Sequence, residues 1–215
     1  MNGLPPSATR FRLSFRTVLG SVALSAAVLA AVVASLQPGL LGSSRAFHGT
    51  VYEDPEPAPA FSLTDHHGEP ARLEDFRGRA TLLFFGFTHC PDVCPLTLQR
   101  LARAADALGR RGKDVEIVLI TVDPERDTPE VLAEYMERFG PRVTGLTGDA
   151  VTLEGLRREY GVYAAPHAGH GDSQPTIVHT PAVFGIDRAG RLRVLMHADG
   201  PEEALQSDLR SLLAL

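Results

Sequence analysis

Residues 81–95 read TLLFFGFTHCPDVCP, an apolar run that leads directly into two cysteines and two prolines. Residues 81–87 are apolar almost without interruption, which predicts a strand that is buried on both faces of a parallel or mixed sheet. A helix is expected from about Cys94 to Gly112, because Pro95 suits a first helical turn and leucines then recur at helical spacing. The two cysteines therefore lie where a buried strand passes into a long helix.

The rest of the chain predicts further strands and helices in alternation. The expected strands span residues 61–63, 115–122, 181–187 and 192–197, and the expected helices span residues 129–139, 151–160 and 201 onward. The last two strands are separated by a short glycine-containing turn and form a hairpin. This order predicts a thioredoxin-like α/β fold in which helices flank a central mixed sheet.

Composition restricts both the size of the protein and its partners. The 215 residues suffice for one ordinary domain with an appendage, and 44% of them are apolar, as in globular proteins. The net charge of −5 offers no basic surface, so nucleic acid is not expected as a partner. The only two cysteines stand four positions apart, and a disulfide between them would close a loop too short to stabilise a fold. They indicate a reactive pair or a metal site.

The N-terminal segment predicts a membrane anchor. Residues 1–16 contain three arginines and no acid, and residues 17–41 contain no charge. This apolar segment is long enough for a helix across a bilayer, which needs about 20 residues. The arginines place residues 1–16 in the cytoplasm and the C-terminal domain on the extracytoplasmic, periplasmic side of a single-pass cell-membrane protein. A cleaved signal peptide and an organellar transit peptide are the alternatives.

Residues 42–59 predict an extended linker, because they are rich in small residues and contain three alternating prolines. The linker would hold the domain a short distance from the membrane. The chain is thus expected to consist of a cytoplasmic N-terminus, a transmembrane helix at 17–41, this linker and one thioredoxin-like domain over residues 60–215.

The spacing of Cys90 and Cys94 permits both redox and metal chemistry. In a helix the two residues would lie one turn and about 6 Å apart on one face, which allows a disulfide or a shared metal ion. The N-terminus of a helix favours the thiolate, which is both the nucleophile and the metal ligand. Soft thiolates select Cu(I) or zinc. The alternative is an inert buried pair or an inert disulfide.

His179 is the candidate third ligand among eight histidines. It stands just before the predicted strand that begins near Pro181. In thioredoxin-like folds the loop that enters this strand faces the corner that carries the cysteines. A histidine at this position can therefore reach both sulfur atoms.

Three segments of the chain resemble the Sco/SenC family of copper chaperones. The first is GFTHCPDVCPLTL at residues 86–98, and the second is TVDPERDTPEVL at residues 121–132. The third is His179 with the threonine, strand and glycine-containing turn that follow it. The resemblance covers about residues 55–215 and extends to the family's habit of an N-terminal membrane anchor.

This resemblance implies that Cys90, Cys94 and His179 bind copper, as Cu(I) and also as Cu(II). It implies delivery of the metal to the dinuclear copper site of a cytochrome c oxidase subunit. The resemblance also allows two further partners, a copper donor protein and a thiol reductant. A metallochaperone of this kind is not an enzyme, although the cysteine pair leaves thiol–disulfide oxidoreductase activity open.

Some positions depart from the family pattern. Val178 stands where the family often has an aspartate before the ligand histidine, which removes one acceptor for the imidazole. Pro181 stands where thioredoxins carry a cis-proline, which favours some oxidoreductase character. The loop at residues 165–172 contains His167 and His170, which form either an auxiliary copper site or part of a solvated loop.

The second motif allows two interpretations. Asp123, Arg126 and Asp127 could face a partner or support the metal site. Alternatively, its acids and threonine simply cap the helix that follows.

Two other functions compete with copper delivery. An extracytoplasmic thiol–disulfide oxidoreductase that acts on target cysteines would need the cysteine pair but not His179, and it usually has two residues between its cysteines. A peroxidase of the peroxiredoxin kind would need a proline and a hydroxyl group at fixed positions before its cysteine. Thr88 stands two residues before Cys90 and no proline precedes it in this segment, so the peroxidase pattern does not fit.

Overall fold

The computed structural model describes residues 47–167, 176–197 and 199–215. The predicted cytoplasmic N-terminus and transmembrane helix, residues 1–41, lie outside these ranges, as does His170. Within the described ranges no helix combines the length and the apolar character that a membrane span requires.

An eight-stranded mixed sheet forms the centre of the domain, in the strand order β1-β10-β9-β4-β5-β6-β2-β3. Strands β4, β5 and β6 are parallel to one another, and the other pairs in this sheet are antiparallel. A separate antiparallel hairpin is formed by β7 and β8. The strands are β1 Thr50–Val51, β2 Ser62–Asp65, β3 Pro70–Arg72, β4 Ala80–Gly86, β5 Val115–Thr121, β6 Val143–Thr147, β7 Ala164–His167, β8 Thr176–His179, β9 Ala182–Ile186 and β10 Leu192–His197.

In the part of the chain that the structure describes, four α-helices cover the two faces of the sheet. They are α1 Val93–Asp106, α2 Pro129–Met136, α3 Ala150–Glu159 and α4 Glu202–Leu212, and short 3-10 segments span Leu73–Phe76 and Gly109–Asp114. Helices α1, α2 and α4 pack on one face, and α3 packs on the other together with the first 3-10 segment. The predicted architecture of a mixed sheet flanked by helices is therefore confirmed.

Every residue of β4 and β5 is buried, as the continuous apolar runs predict. Alternate side chains of β4 enter the two different cores: Leu82 and Phe84 face α1, whereas Leu83 and Phe85 face α3. A strand that is buried on both faces has a fixed position in the sheet. The residues that follow it therefore begin from a rigid point.

Several elements differ from those expected from the sequence. Helix α1 ends at Asp106 rather than near Gly112, because Gly109 adopts a positive φ of 59° and a 3-10 segment follows. Helix α2 ends at Met136, three residues early. Strands β1, β3 and β6 and the hairpin of β7 and β8 were not predicted. Within the described residues no peptide bond is cis, so the bond before Pro181 is trans, unlike that of thioredoxins.

The described part of the predicted linker, residues 47–59, lies against the domain. Strand β1 pairs with β10, Pro57 forms a bridge with Arg191, and Ala58 is buried. The backbone N–H groups of His48 and Gly49 donate hydrogen bonds to the carboxylate of Asp208, at 2.7 and 3.1 Å. These contacts satisfy backbone groups that an extended linker would leave to water. The folded unit thus includes residues ahead of the expected boundary at residue 60.

Asp208→Ala should lower the free energy of unfolding by about 2 kcal/mol, because two backbone donors lose a charged acceptor that is itself buried. Urea unfolding of the full-length chain, followed by circular dichroism, would measure this loss. Glu134→Ala is the matched control, since Glu134 is an exposed acid on α2 and should change stability by less than about 0.5 kcal/mol. Equal stabilities of the two variants would contradict the tie between Asp208 and the N-terminal segment.

Candidate metal centre

The three predicted ligands come from three different elements that end near one another. Cys90 lies in the turn after β4, Cys94 lies in the first turn of α1, and His179 is the last residue of β8. Helix α1 begins at Val93, so Cys90 precedes the helix and does not share a helical face with Cys94. The backbone N–H of Cys90 instead donates to the carbonyl oxygen of Phe87 at 3.3 Å, which closes a tight turn.

The structure brings the donor atoms of these three residues together. The Sγ atoms of Cys90 and Cys94 and a ring nitrogen of His179 all lie within 4.8 Å of one another. Sγ of Cys94 is 3.4 Å from Nε2 of His179, and the backbone N–H of Cys94 donates to Sγ of Cys90 at 3.4 Å. Both cysteines are free thiols. Two sulfurs and one imidazole nitrogen thus converge in a set that could hold one metal ion.

The imidazole of His179 is oriented by its surroundings. Its Nδ1 lies 3.2 Å from the carbonyl oxygen of Thr180, to which it can donate a hydrogen bond, and its Nε2 faces the sulfur of Cys94 at 3.4 Å. The rings of Phe84 and Phe87 contact it edge-on, each at a centroid distance of 5.9 Å. The Thr180 carbonyl therefore supplies an acceptor that orients the imidazole.

Burial distinguishes the two cysteines. Cys94 is completely buried and belongs to the core beneath α1, whereas Cys90 is only partly buried. Gly86 lies behind Cys94, and a Cβ atom at this position would stand 3.0 Å from Sγ of Cys94. A side chain there would crowd Phe84, Leu119 and this sulfur, so the glycine that ends β4 leaves room for Cys94. The sequence carries no direct sign of this contact.

The two thiols differ strongly in acidity. The pKa of Cys90 is lowered to about 3, chiefly by a hydrogen bond from the Cys94 thiol and also by hydrogen bonds from His179 and backbone N–H groups, against the opposing effect of burial. The same hydrogen bond, together with burial, raises the pKa of Cys94. In the metal-free protein the sulfur of Cys90, the less buried of the two, is therefore the thiolate.

The second sequence motif contains both a helix cap and a residue that contacts the cysteine turn. The hydroxyl oxygen of Thr128 accepts from the N–H of Val131 and caps α2. Asp127 does not cap this helix, because its buried carboxylate accepts hydrogen bonds from Thr88 and Thr121. Thr88 lies two residues before Cys90, and no sequence pattern predicted its contact with Asp127.

His89, Asp123 and Asp127 form a second group whose potential ligand atoms lie within 4.8 Å of one another. Arg126 forms an ion pair with Asp123, and both carboxylate oxygens of Asp127 already accept hydrogen bonds. A cation would have to displace the arginine and these donors. The group is thus internally satisfied and differs from the open donor set around Cys90.

Alkylation of Cys90 by iodoacetamide should proceed at a nearly constant rate between about pH 5 and about pH 8, because its pKa of about 3 keeps the thiolate present throughout. In Cys94→Ala the main cause of the low pKa is gone, so the pKa should rise toward the ordinary value of about 8.5. The rate in this variant should then fall steeply as the pH decreases. The same steep profile in the wild type would contradict the assignment of the thiolate to Cys90.

Comparison with known proteins places this geometry in a family. The SCO1/SenC family profile matches residues 50–214. The mouse protein "Protein SCO1 homolog, mitochondrial" is 38% identical over 132 residues, which are 60% of this chain and 46% of the mouse protein. The chain thus matches about half the length of that relative.

Solved structures share the fold over most of the domain. The structure of Bradyrhizobium japonicum ScoI with copper bound matches with a TM-score of 0.66 and 34% identity, covering 73% of this chain and 99% of ScoI. BsSco, described as a member of the Sco family of cytochrome c oxidase assembly proteins, matches with a TM-score of 0.61 and 20% identity, covering 77% and 99%. At that identity BsSco supports the fold alone. The family match spans nearly the whole described domain, and this chain belongs to the SCO1/SenC family.

Proposed function

We propose that this protein is a membrane-tethered copper chaperone that binds one copper ion through Cys90, Cys94 and His179 and delivers it to the dinuclear copper site of cytochrome c oxidase. The observation that carries the proposal is the convergence of two sulfurs and one imidazole nitrogen within 4.8 Å. The family's ScoI, solved with copper bound, supports the choice of metal.

The chemistry of the donor set favours copper. Thiolate ligands select Cu(I), and an imidazole nitrogen is a good ligand for copper in either oxidation state. Structural zinc sites almost always have four protein ligands, and among the described residues this group offers three. Catalytic zinc sites can use two cysteines and one histidine, so the choice of copper over zinc rests on ScoI, which was solved with copper bound. A three-ligand site leaves one side of the ion open. We therefore assign copper, with Cu(I) as the principal form and Cu(II) as a second form in the same set.

The unequal burial of the ligands suits transfer of the metal to another protein. Cys94 is fully buried, while Cys90 and His179 are partly exposed. A ligand from the receiving protein would approach the ion from the side of Cys90 and His179. Cys94 would then be the last ligand to release the ion. Stepwise ligand exchange of this kind keeps the ion bound to sulfur or nitrogen at each stage.

The receiving protein and the tether follow from the family and the sequence. The chain belongs to the SCO1/SenC family, for which the sequence resemblance implies delivery to cytochrome c oxidase, and this supports a copper-receiving oxidase subunit as the partner. The apolar segment at residues 17–41 would anchor the chain, with its C-terminal domain on the extracytoplasmic side of the cell membrane. A copper donor protein and a thiol reductant would act before this delivery.

A thiol–disulfide oxidoreductase is the second candidate function. It is favoured by the lowered pKa of the partly exposed Cys90 and by the adjacent Cys94 thiol, which together resemble a nucleophilic and a resolving cysteine. This function would use His179 at most indirectly. The copper proposal explains why all three donors meet, so it accounts for more of the geometry.

The test is Cu(I) binding to the reduced full-length chain, measured by anaerobic competition with a chelator. The wild type should hold one copper ion, and His179→Ala should bind it at least about tenfold more weakly, because one of three ligands is lost. His67→Ala is the matched control, since His67 is exposed in a turn outside the group and should leave the affinity unchanged.

Two other results would contradict part or all of the copper proposal. A wild type that holds no copper against the chelator would overturn the copper proposal and favour the oxidoreductase. Equal affinities for the wild type and His179→Ala would retain copper binding but exclude His179 as a ligand.

A further inference from the structure

Cys90 is the ligand with the least support from its own element. It precedes α1, and Asp92 at the start of that helix makes no capping hydrogen bond through its side chain. Cys94, in contrast, is packed in the core, and His179 is held by two phenylalanine rings and a carbonyl oxygen. Apart from the hydrogen bond that its sulfur accepts from the N–H of Cys94, the position of Cys90 depends on the turn before it, which contains Thr88.

Thr88 is attached to the second motif by a buried carboxylate. Its backbone N–H donates to Oδ2 of Asp127 at 3.1 Å, and its hydroxyl group donates to Oδ1 at 2.6 Å. The hydroxyl group of Thr121, the last residue of β5, donates to Oδ2 at 2.6 Å. Asp127 is completely buried, so its carboxylate depends on these three donors in place of water.

These bonds connect the cysteine turn to the rigid part of the sheet. Strands β4 and β5 are paired up to Gly86 and Thr121, and the N–H of Val122 donates to the carbonyl oxygen of Gly86 at 2.9 Å. Asp127 lies beyond this pairing and joins Thr121 to Thr88. The turn that begins after Gly86 is thereby held at a second point, two residues before Cys90.

On the basis of the proposed function, we infer that Asp127 is a positioning residue of the copper site. Its carboxylate fixes Thr88, and through Thr88 it fixes the turn that holds the sulfur of Cys90 near Cys94 and His179. Asp127 itself does not bind the metal in this account. The role depends on its hydrogen bonds rather than on its charge.

An asparagine at position 127 could preserve these bonds. Its amide oxygen in the place of Oδ2 would accept from the Thr88 N–H and the Thr121 hydroxyl group. Its amide nitrogen in the place of Oδ1 would donate to the Thr88 hydroxyl oxygen. The Thr88 hydroxyl hydrogen could then turn to Nδ1 of His89, which lies 3.0 Å away.

The experiment compares Cu(I) affinity, by chelator competition, in the reduced full-length wild type, Asp127→Ala, Asp127→Asn and Asp208→Ala. Asp127→Ala should weaken copper binding by about 10- to 100-fold, the usual effect of losing a residue that orients a metal ligand. Asp127→Asn should retain most of the wild-type affinity. Asp208→Ala should bind like the wild type, because it removes a comparably buried carboxylate that accepts backbone N–H groups away from the site.

A second pair of variants serves if Asp127→Ala does not fold. Thr88→Val removes the hydroxyl donor at a partly buried position and should weaken copper binding several-fold, whereas Thr88→Ser keeps the donor and should not. Both substitutions are close to the original side chain in size.

The outcomes separate this inference from the proposed function. If the wild type holds no copper, the proposed function fails and the inference fails with it. If the wild type binds copper and the folded Asp127 and Thr88 variants bind it equally well, only the inference is overturned. Equal losses in Asp127→Ala and Asp127→Asn would assign the effect to charge and would also overturn it, as would an equal loss in Asp208→Ala.

Discussion

The pairing of β4 with its two neighbours in the sheet is the constraint on which the site depends. Strand β4 lies between β5, which is parallel to it, and β9, which is antiparallel. The chain leaves the C-terminal end of β4 toward the cysteines and leaves the same end of β5 toward Asp127. It enters β9 at that edge from His179. Three distant sequence motifs are therefore brought to one edge of the sheet by the pairing of these strands.

This arrangement gives each of the three proposed ligands a different kind of support. Cys94 is fixed by packing, since it is buried in the core against a glycine that leaves room for its sulfur. His179 is fixed by the orientation of its ring. Cys90 is fixed through hydrogen bonds in a partly exposed turn. A site that must accept and release an ion benefits from such a difference, because one sulfur can stay in place while the exposed side of the site exchanges ligands.

The central strands and the cysteine pair could be predicted from the sequence because the patterns that indicate them are local. The apolar runs of β4 and β5 and the cysteine spacing identify their elements directly. Strand β6 was not predicted because it is only five residues long and contains Gly145. The glycine is needed for packing, since a Cβ atom there would stand 2.9 Å from Met136. The prolines at residues 55–59 predicted a linker, but residues ahead of them in the same segment pair with β10 and bind Asp208, contacts that no local pattern reveals.

The role of Asp127 was equally hidden, because Thr88 is 39 positions away in the chain. Its motif suggested either a helix cap or a supporting loop, and only the fold separates Thr128, which caps α2, from Asp127, which faces the cysteine turn. The predicted third ligand required knowledge of where the loop before β9 lies. Long-range contacts of this kind are set by topology rather than by neighbouring residues.

The central claim is that two sulfurs and one imidazole nitrogen of a single chain bind one copper ion. X-ray absorption spectroscopy of the full-length chain loaded with Cu(I) tests this claim most directly, because it counts the sulfur and nitrogen neighbours of the metal. The account predicts two sulfur neighbours and one nitrogen neighbour with the scattering pattern of an imidazole ring. A copper ion with fewer than two sulfur neighbours, or with no imidazole, would contradict it.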